Sequence, residues 1–407
     1  MSLPLTLRAL RHRDFQLYFA GQAISFIGTW MQSVAQGWLV FQLTHSSFWL
    51  GLVGFCASFP FFLFSLWAGT IADRVPKRAL LVWIQVWSAA IALGLGLSIS
   101  CKLVTPWLVA ILSFAGGIAR ALETPTRQAF LIELVGREDL PNAVALNSSL
   151  FNGARLLGPA LGGWLVATWG TASCFYANAG SFVVAWACLV AMQAEGLPSE
   201  CTQEGRTGLP EALGFLFREG REALEPLGVL AVVSLFGWFY STLLPYFAGA
   251  ILAGGAKELG LLVSFNGLGA LLGALVTARH GSFELARRFS RLGITLFCLA
   301  LPIFAESRLL PLSAGALSVA GFGLVLFHSS CNICVQKIAP DELRGRLLGV
   351  YVFLYQGLFP FGNLLGGWFA HTFGAPKALW IGSLFCASAA FGMSLFSQLV
   401  SLGNKAR

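Results

Sequence analysis

The chain has 407 residues, of which 57% are hydrophobic and only 11% are charged. A soluble domain usually carries about 25% charged residues, so this composition excludes an ordinary soluble protein and indicates a polytopic membrane protein. The formal net charge of +8 comes from basic residues in the loops, and it requires no nucleic-acid partner.

The apolar segments are about 20 residues long and do not alternate with polar residues, which favours transmembrane helices over a β-barrel. The first segment follows three arginines and has no obvious cleavage site, so we interpret it as a retained helix and not as a signal peptide. Twelve spans are predicted, at residues 15–41, 48–71, 79–100, 105–127, 142–168, 172–193, 226–252, 258–279, 290–307, 311–337, 347–371 and 375–400.

Lysine and arginine concentrate in alternate loops, beginning with the N-terminal segment. Loops of the opposite set contain only isolated basic residues, namely Lys102, Lys257, Arg308 and Lys377. Basic loops tend to remain in the cytoplasm, so we expect both termini to be cytoplasmic.

A polar loop at residues 194–225 divides the chain into a predicted N-terminal bundle of six helices, 1–193, and a C-terminal bundle of six helices, 226–407. We interpret this loop as a cytoplasmic tether. An internal repeat supports two halves, because glycines of the fifth span recur at the same spacing in the eleventh, and such glycines let helices approach closely. The repeated residues are Gly153, Gly158, Gly162 and Gly163, and then Gly357, Gly362, Gly366 and Gly367.

One arginine lies deep inside the fifth span. Arg155 is about 20 Å along that helix at 1.5 Å per residue, where a cation costs at least ~2.5–3.5 kcal/mol. The repeat has Phe359 in place of Arg155 and Asn363 in place of Pro159, so the glycines are duplicated but the charge and the proline are not. Arg155 therefore contacts an anionic group of the substrate or takes part in proton coupling. Alternatively, it is a structural residue held by backbone carbonyls.

Two motifs resemble the major facilitator superfamily. The segment from Gly69 to Arg78 has the pattern GxxxDRxxKR of the superfamily's cytoplasmic loop between helices 2 and 3. The pattern GPxxGG, formed by Gly158, Pro159, Gly162 and Gly163, resembles its helix 5 antiporter motif. With Phe26–Gln32 and the run from Pro125 to Arg155, the chain resembles the branch of enterobactin exporters and macrolide efflux pumps, the transmembrane secretion effector type.

This resemblance implies an all-α fold of two pseudo-symmetric six-helix bundles in the bacterial inner membrane. It also implies a monomer that binds a small-molecule substrate and the lipid bilayer. The sequence has no hydrolase nucleophile constellation, Walker loop, dinucleotide-binding glycine loop or metal cluster. We therefore expect no enzyme and no cofactor, and we expect an ion gradient, with protons as the coupling ion, to supply the energy.

In the superfamily, helices 1, 4, 7 and 10 line the central cavity. The resemblance therefore assigns residues on these helices, together with Arg155, to the substrate cavity. For most of them an interhelical hydrogen bond or an interfacial anchor is the alternative role. The assigned residues are Gln32, Gln36, Arg155, Trp238, Tyr240 and Asn332.

Charged residues near the predicted cytoplasmic ends of helices are assigned to gating and coupling. They are Asp73, Arg74, Arg78, Arg120, Glu123 and Arg127. Asp73 can accept hydrogen bonds from a helix N-terminus or pair with an arginine, a latch that must break for the cytoplasmic side to open. Arg120, Glu123 and Arg127 share one helix face. They form a gate network with Asp73, or Glu123 carries the proton.

The sequence thus predicts a secondary active exporter of a small amphipathic organic molecule, either drug-like or a siderophore, that uses proton antiport and alternating access. One alternative is a lysophospholipid or lipid facilitator of the same fold, which needs no proton. Another is a membrane-embedded receptor or scaffold, which would bind its partner through the 194–225 loop.

Overall fold

The structure is a computed structural model that describes residues 5–196, 209–218, 220–279, 282–341 and 343–405. Within these ranges the chain is almost entirely helical and has no β-strand, which confirms the predicted all-α class. The α-helices are α1 (Arg13–Thr44), α2 (Ser47–Arg74), α3 (Lys77–Ser100), α4 (Pro106–Trp169), α5 (Thr171–Val190), α6 (Leu209–Arg218), α7 (Arg221–Val232), α8 (Tyr240–Tyr246), α9 (Ala256–Ala278), α10 (Phe283–Glu306), α11 (Leu310–Ile338), α12 (Arg344–Val352), α13 (Phe359–Phe373) and α14 (Ala375–Lys405).

Each of the predicted spans falls on helical residues. Among the described residues, 10 stretches are long and apolar enough to cross a membrane, and α1 is not one of them. Helix α4 has 64 residues and bends at Gly136, whose φ of 72° lies in the left-handed region that glycine tolerates. Its two arms correspond to the predicted spans 105–127 and 142–168. A straight helix of 64 residues would be about 96 Å long, roughly three bilayer cores, so we expect the region around Gly136 to lie outside the membrane.

The first compact unit comprises Met1–His45, Cys56–Thr202 and Ala253–Ser264. Within it, α1 packs against α4 and α5, and α3 packs against α5. A cluster of buried side chains, which includes Phe15, Leu81, Phe130 and Leu189, joins these four helices. The residues 197–208 of the predicted 194–225 tether lie outside the described residues.

The second compact unit comprises Ser46–Phe55, Gln203–Leu252 and Phe265–Arg407. Within it, α10 packs against α11 and α14. Three π-helical segments interrupt its helices, at Val233–Gly237, Phe247–Ile251 and Phe353–Gly357. Such segments occur frequently at functional sites, and the sequence analysis did not predict them.

Two short segments pack with residues distant in sequence because glycines allow the backbones to touch. A Cβ on Gly260 of α9 would lie 3.0 Å from Gly163 Cα, and a Cβ on Gly51 of α2 would lie 2.7 Å from Gly367 Cα. Ala253–Ser264 therefore belongs to the first unit, and Ser46–Phe55 belongs to the second. The predicted boundaries of the two six-helix bundles, at residues 193 and 226, stay a prediction.

Candidate functional site

Two arginines of the first unit lie over aromatic rings. The Arg127 Cζ atom is 4.7 Å from the centre of the Phe26 ring, and the Arg155 Cζ atom is 5.8 Å from the centre of the Trp30 ring. The Phe151 ring stands edge-on to Phe26 at 5.5 Å and meets Trp30 at 5.9 Å. We call these five residues the arginine–aromatic cluster. Cations over ring faces gain ~0.5–2 kcal/mol, and more as water is excluded.

Helical spacing explains why the residues of the arginine–aromatic cluster lie on facing sides of α1 and α4. Phe26 and Trp30 are four residues apart on α1, and Phe151 and Arg155 are four apart on α4, so each pair shares one helix face. Gly158 lies almost one turn beyond Arg155, and a Cβ there would be 2.5 Å from the Trp30 Cβ atom. The absence of a side chain at Gly158 therefore allows α1 to approach α4 closely enough for Trp30 to reach Arg155.

The other residues of the predicted antiporter motif form contacts of α4 with two helices, α1 and α9. A Cβ on Gly162 would lie 2.8 Å from Met31 Cα, so this glycine also allows α1 to pack closely against α4. Gly163 and the carbonyl oxygen of Pro159 face Gly260 of α9. All four motif residues are buried, and their observed role is close helix packing within the first unit.

The cationic side chains of α4 have several partners. The Arg127 Nη1 atom lies 3.9 Å from Glu123 Oε1 and donates to Gln22 Oε1 at 3.3 Å. Arg120 donates from Nη2 to the Ala57 carbonyl at 2.7 Å, in the turn of α2 that Pro60 disrupts. Proline has no N–H for the helical ladder, and the guanidinium supplies a donor in that turn.

Among the described residues, the side chains of Asp73 and Arg74 make no hydrogen bond or ion pair, and the Asp73 latch stays a prediction. Other parts of the same motif are engaged. Arg78 donates to the carbonyls of Leu189 at 2.9 Å and Val190 at 2.6 Å. These carbonyls lie in the last turn of α5, where helix oxygens lack intrahelical donors and carry negative partial charge.

Lys77, which precedes Arg78 in the same loop motif, makes two further contacts. Its Nζ atom lies 2.7 Å from Glu133 Oε1, and its side chain is only 1% exposed. The Lys77 backbone N–H donates to the Gly196 carbonyl at 2.7 Å. Lys77 and Arg78 thus tie the start of α3 to α4 and to the end of α5.

Asp139, beside the bend of α4, binds the N-terminal segment. His12 Nε2 lies 2.9 Å from Asp139 Oδ2, and Arg8 Nε forms an ion pair with Oδ1 at 2.7 Å without hydrogen-bond alignment. The hydrogen bond from His12, together with the charges of Arg8 and Arg11, holds the pKa of Asp139 below its usual range.

We expect Asp139→Asn to lower the thermal stability of the purified protein near neutral pH. A carboxylate whose folded pKa is lowered stabilises the fold above its unfolded pKa of about 3.9, and this stabilisation is lost as the pH falls through the folded value. Thermal unfolding of wild type and variant should therefore converge under acidic conditions. Glu138→Gln is the control, because Glu138 is 86% exposed; a gap between wild type and D139N that persists at low pH would contradict this account.

The second unit contains a group of rings around an imidazole, which we call the histidine–aromatic cluster. The ring of His328 on α11 lies 3.7 Å from that of Tyr355, 5.4 Å from that of Tyr351 and 5.7 Å from that of Trp238, measured between centroids. Trp238 also meets Phe359 edge-on at 5.9 Å. Of these residues, only Trp238 was assigned to the cavity from the sequence.

Several predicted cavity residues make bonds between or along helices. Asn178 Nδ2 donates to Gln32 Oε1 at 2.7 Å, and Gln36 Nε2 donates to Ser113 Oγ at 3.0 Å. Tyr240 is 1% exposed, and its hydroxyl accepts from Asn266 Nδ2 at 2.8 Å. Asn332 accepts a hydrogen bond from Gln336 along α11. Contact of these residues with a substrate stays a prediction.

Sequence reasoning missed Phe26 and Phe151 at the first cluster and Tyr351 and Tyr355 at the second. The spacing of four between Phe26 and Trp30, and between Phe151 and Arg155, was a usable signal for a shared face. No sequence signal indicated which helix faces would meet.

The sequence profile of the family described as transmembrane secretion effector matches residues 5–404. The chain belongs to this family, a branch of the major facilitator superfamily. This finding confirms the resemblance inferred from the loop and helix 5 motifs. Members of the superfamily are membrane transporters, so the chain is a transporter and not an enzyme.

Curated relatives and solved structures agree with this membership. The transporter is 26% identical to the "Staphyloferrin A transporter" of Staphylococcus aureus, over 88% of this chain and 90% of that one. It is 26% identical to the "Multidrug efflux pump Tap" of Mycolicibacterium fortuitum, over 84% and 85%. A bacterial homologue of the human lysosomal transporter Spinster superposes with a TM-score of 0.73 at 14% identity, covering 98% of both chains. The structural similarity to the Spinster homologue confirms the major facilitator fold.

Proposed function

We propose that this transporter exports a small amphipathic organic molecule, drug-like or a siderophore, from the cytoplasm by proton antiport. The observation that carries the proposal is the position of Arg155 over Trp30, beside Phe151, where α1 packs against the second arm of α4. Aromatic faces suit the apolar part of such a molecule, and a guanidinium suits its polar or anionic groups.

The charge pattern of the first half supports a substrate with an anionic group. Its predicted spans contain Arg120, Arg127 and Arg155 but only one carboxylate, Glu123. Intramembrane ionisable residues are costly and usually mark a substrate or ion pathway. Arg127 is paired with Glu123 and hydrogen-bonded to Gln22. We assign Arg155 to the substrate because its guanidinium lies over the Trp30 ring. Glu123 is the proposed proton carrier of this half.

Relatives support both the direction and the class of cargo. One is named as a staphyloferrin A transporter and another as a multidrug efflux pump, so the family handles siderophores and drugs. The basic loops favour cytoplasmic termini in a bacterial inner membrane, and the transporter is proposed to work as a monomer. Two six-helix bundles alternate access around a central site, and the proton gradient drives each cycle.

The test uses purified protein in liposomes with an imposed pH gradient. The probes are enterobactin, the anionic dye fluorescein, the cationic dye ethidium and a lysophosphatidylcholine. We expect an amphipathic probe with an anionic group to move fastest and to be accelerated by the gradient. Movement of the lysophospholipid that continues after the gradient collapses would favour a lipid facilitator instead. If no probe moves faster than in empty liposomes, the export proposal is wrong.

A further inference from the structure

We propose that His328 is a proton-binding site in the second unit. The inference deepens the proposed antiport by naming a second proton carrier besides Glu123, and it therefore rests on that function. His328 lies 10 residues before the end of α11 at Ile338, or about 15 Å along the helix axis. This distance places the imidazole near the middle of a hydrocarbon core about 30 Å thick.

The two nitrogen atoms of the imidazole have different surroundings. Nδ1 lies 2.5 Å from the Tyr351 hydroxyl oxygen, and this hydroxyl is also within 3.2 Å of the His328 carbonyl. Nε2 is buried and has no hydrogen-bond partner among the described residues. When Tyr351 donates to the carbonyl, its oxygen accepts the Nδ1 proton, and Nε2 then carries a lone pair that can take a proton. A buried polar atom without a partner calls for such an explanation.

No charged group faces the imidazole in the described part of the chain. The titratable groups close to it are Cys331 on its own helix, Tyr351 on α12 and Tyr355 in the following π-helical segment. Helix α7, which leads to Trp238, contributes Glu222 and Glu225 only at its far end. On α10 and α12, most titratable groups have other partners: Arg287 and Arg291 pair with Glu225, Cys298 lies near Cys386, Glu306 accepts from Trp380, Arg344 pairs with Asp341, and Arg346 pairs with Glu211. Glu284 and Arg288 lie in the first two turns of α10.

An imidazolium in these surroundings would be a buried cation without an acceptor, which is strongly unfavourable. His328 is therefore neutral in this conformation. A second conformation that gives Nε2 water or an acceptor would bind a proton there. A proton that binds one conformation better than another shifts the population between them, which is the requirement for coupling a proton to transport.

Two π-helical segments can supply this conformational change. Trp238 directly follows the segment Val233–Gly237, and Tyr355 lies within the segment Phe353–Gly357. A π-helical segment contains one residue more than a regular helix needs for the same turn. Its return to α-helix rotates the following residues by about 100°, which would move Trp238 or Tyr355 away from the imidazole. Two of the rings that surround the imidazole are therefore placed by π-helical segments of the second unit.

The test measures proton binding without transport. Full-length protein labelled with ¹⁵N-histidine in lipid nanodiscs is titrated from about pH 8 to pH 5, the range of an accessible imidazole. The signal missing from His328→Gln identifies His328. We expect this signal to pass from the neutral to the imidazolium form, with a parallel change in fluorescence that Trp238→Phe removes. His371→Gln, at the end of α13, is the matched control and should leave both changes intact. Tyr351→Phe removes the hydroxyl at Nδ1 and should shift the midpoint in folded protein.

The transport arm uses whichever of the four probes moves in liposomes. His328→Gln should still carry that probe down its own gradient but lose its pH-driven accumulation, which reaches roughly tenfold per pH unit at equilibrium for one-to-one exchange. A His328 signal that stays neutral throughout, with pH-driven transport intact, overturns the proton site and leaves the export proposal standing. A His328 signal that titrates while no probe moves supports the proton site and counts against the export proposal.

Discussion

Replacement of Arg155 by glutamine should strongly reduce export while the protein still folds. Glutamine keeps a hydrogen-bonding group but removes the charge over Trp30, so a substrate anion loses its charge-assisted contact. Hydrogen bonds to charged groups are worth about 1.5–3 kcal/mol, and we expect the transport rate to fall roughly 10- to 100-fold. The measurement is the initial rate in liposomes for the probe that the wild type carries best.

Two further variants make the Arg155 result specific. Arg155→Lys keeps the charge but loses the planar fork that stacks on a ring, so it should retain part of the activity. Arg137→Gln removes an exposed arginine beside the bend of α4 and should leave the rate unchanged. Wild-type rates in the Arg155→Gln protein would make Arg155 a structural residue and would remove the main support for the proposed substrate site.

Substitution of Gly162 by leucine should strongly destabilise the first unit. A Cβ there would lie 2.8 Å from Met31 Cα, so α1 would have to move away from α4. Overpacking of a well-packed interior typically costs 1–3 kcal/mol, and a backbone atom cannot move aside as a side chain can. The melting temperature of the purified protein should therefore fall by several degrees, as followed by tryptophan fluorescence.

Gly153 provides the matched control on the same arm of α4. No heavy atom lies within 4 Å of a Cβ built on Gly153, and alanine favours a helix over glycine by about 1 kcal/mol. Gly153→Ala should therefore match or exceed the wild-type melting temperature. If Gly162→Leu melts together with Gly153→Ala, the close approach of α1 to α4 is not a determinant of stability.

The positions of the helices and most of the repeated glycines could be predicted from the sequence. Apolar length indicates a span, and Gly158, Gly162 and Gly163 all meet a neighbouring backbone or side chain, as do Gly362, Gly366 and Gly367. Gly153 does not follow this pattern, because a Cβ on Gly153 would have open space around it.

The partners of polar side chains could not be predicted. Spacing shows which residues share a face of one helix, but both lipid and neighbouring helices accept an apolar face, so the sequence alone does not pair the faces. Gln36, for example, was expected in a cavity, and its amide donates a hydrogen bond to Ser113. The π-helical segments at Trp238 and Tyr355 could not be predicted either, because one additional residue does not change the hydropathy pattern of an apolar segment.

The glycine contact between α4 and α9 has a consequence for biosynthesis. The first compact unit includes Ala253–Ser264, so a ribosome must translate past Gly260 before Gly163 has its partner. The delay is longer for the segment Ser46–Phe55, because Gly367, the partner of Gly51, is synthesised near the end of translation. The N-terminal half therefore enters the bilayer with one glycine surface of α2 and one of α4 still uncovered, and its assembly is completed only after most of the C-terminal half has been made.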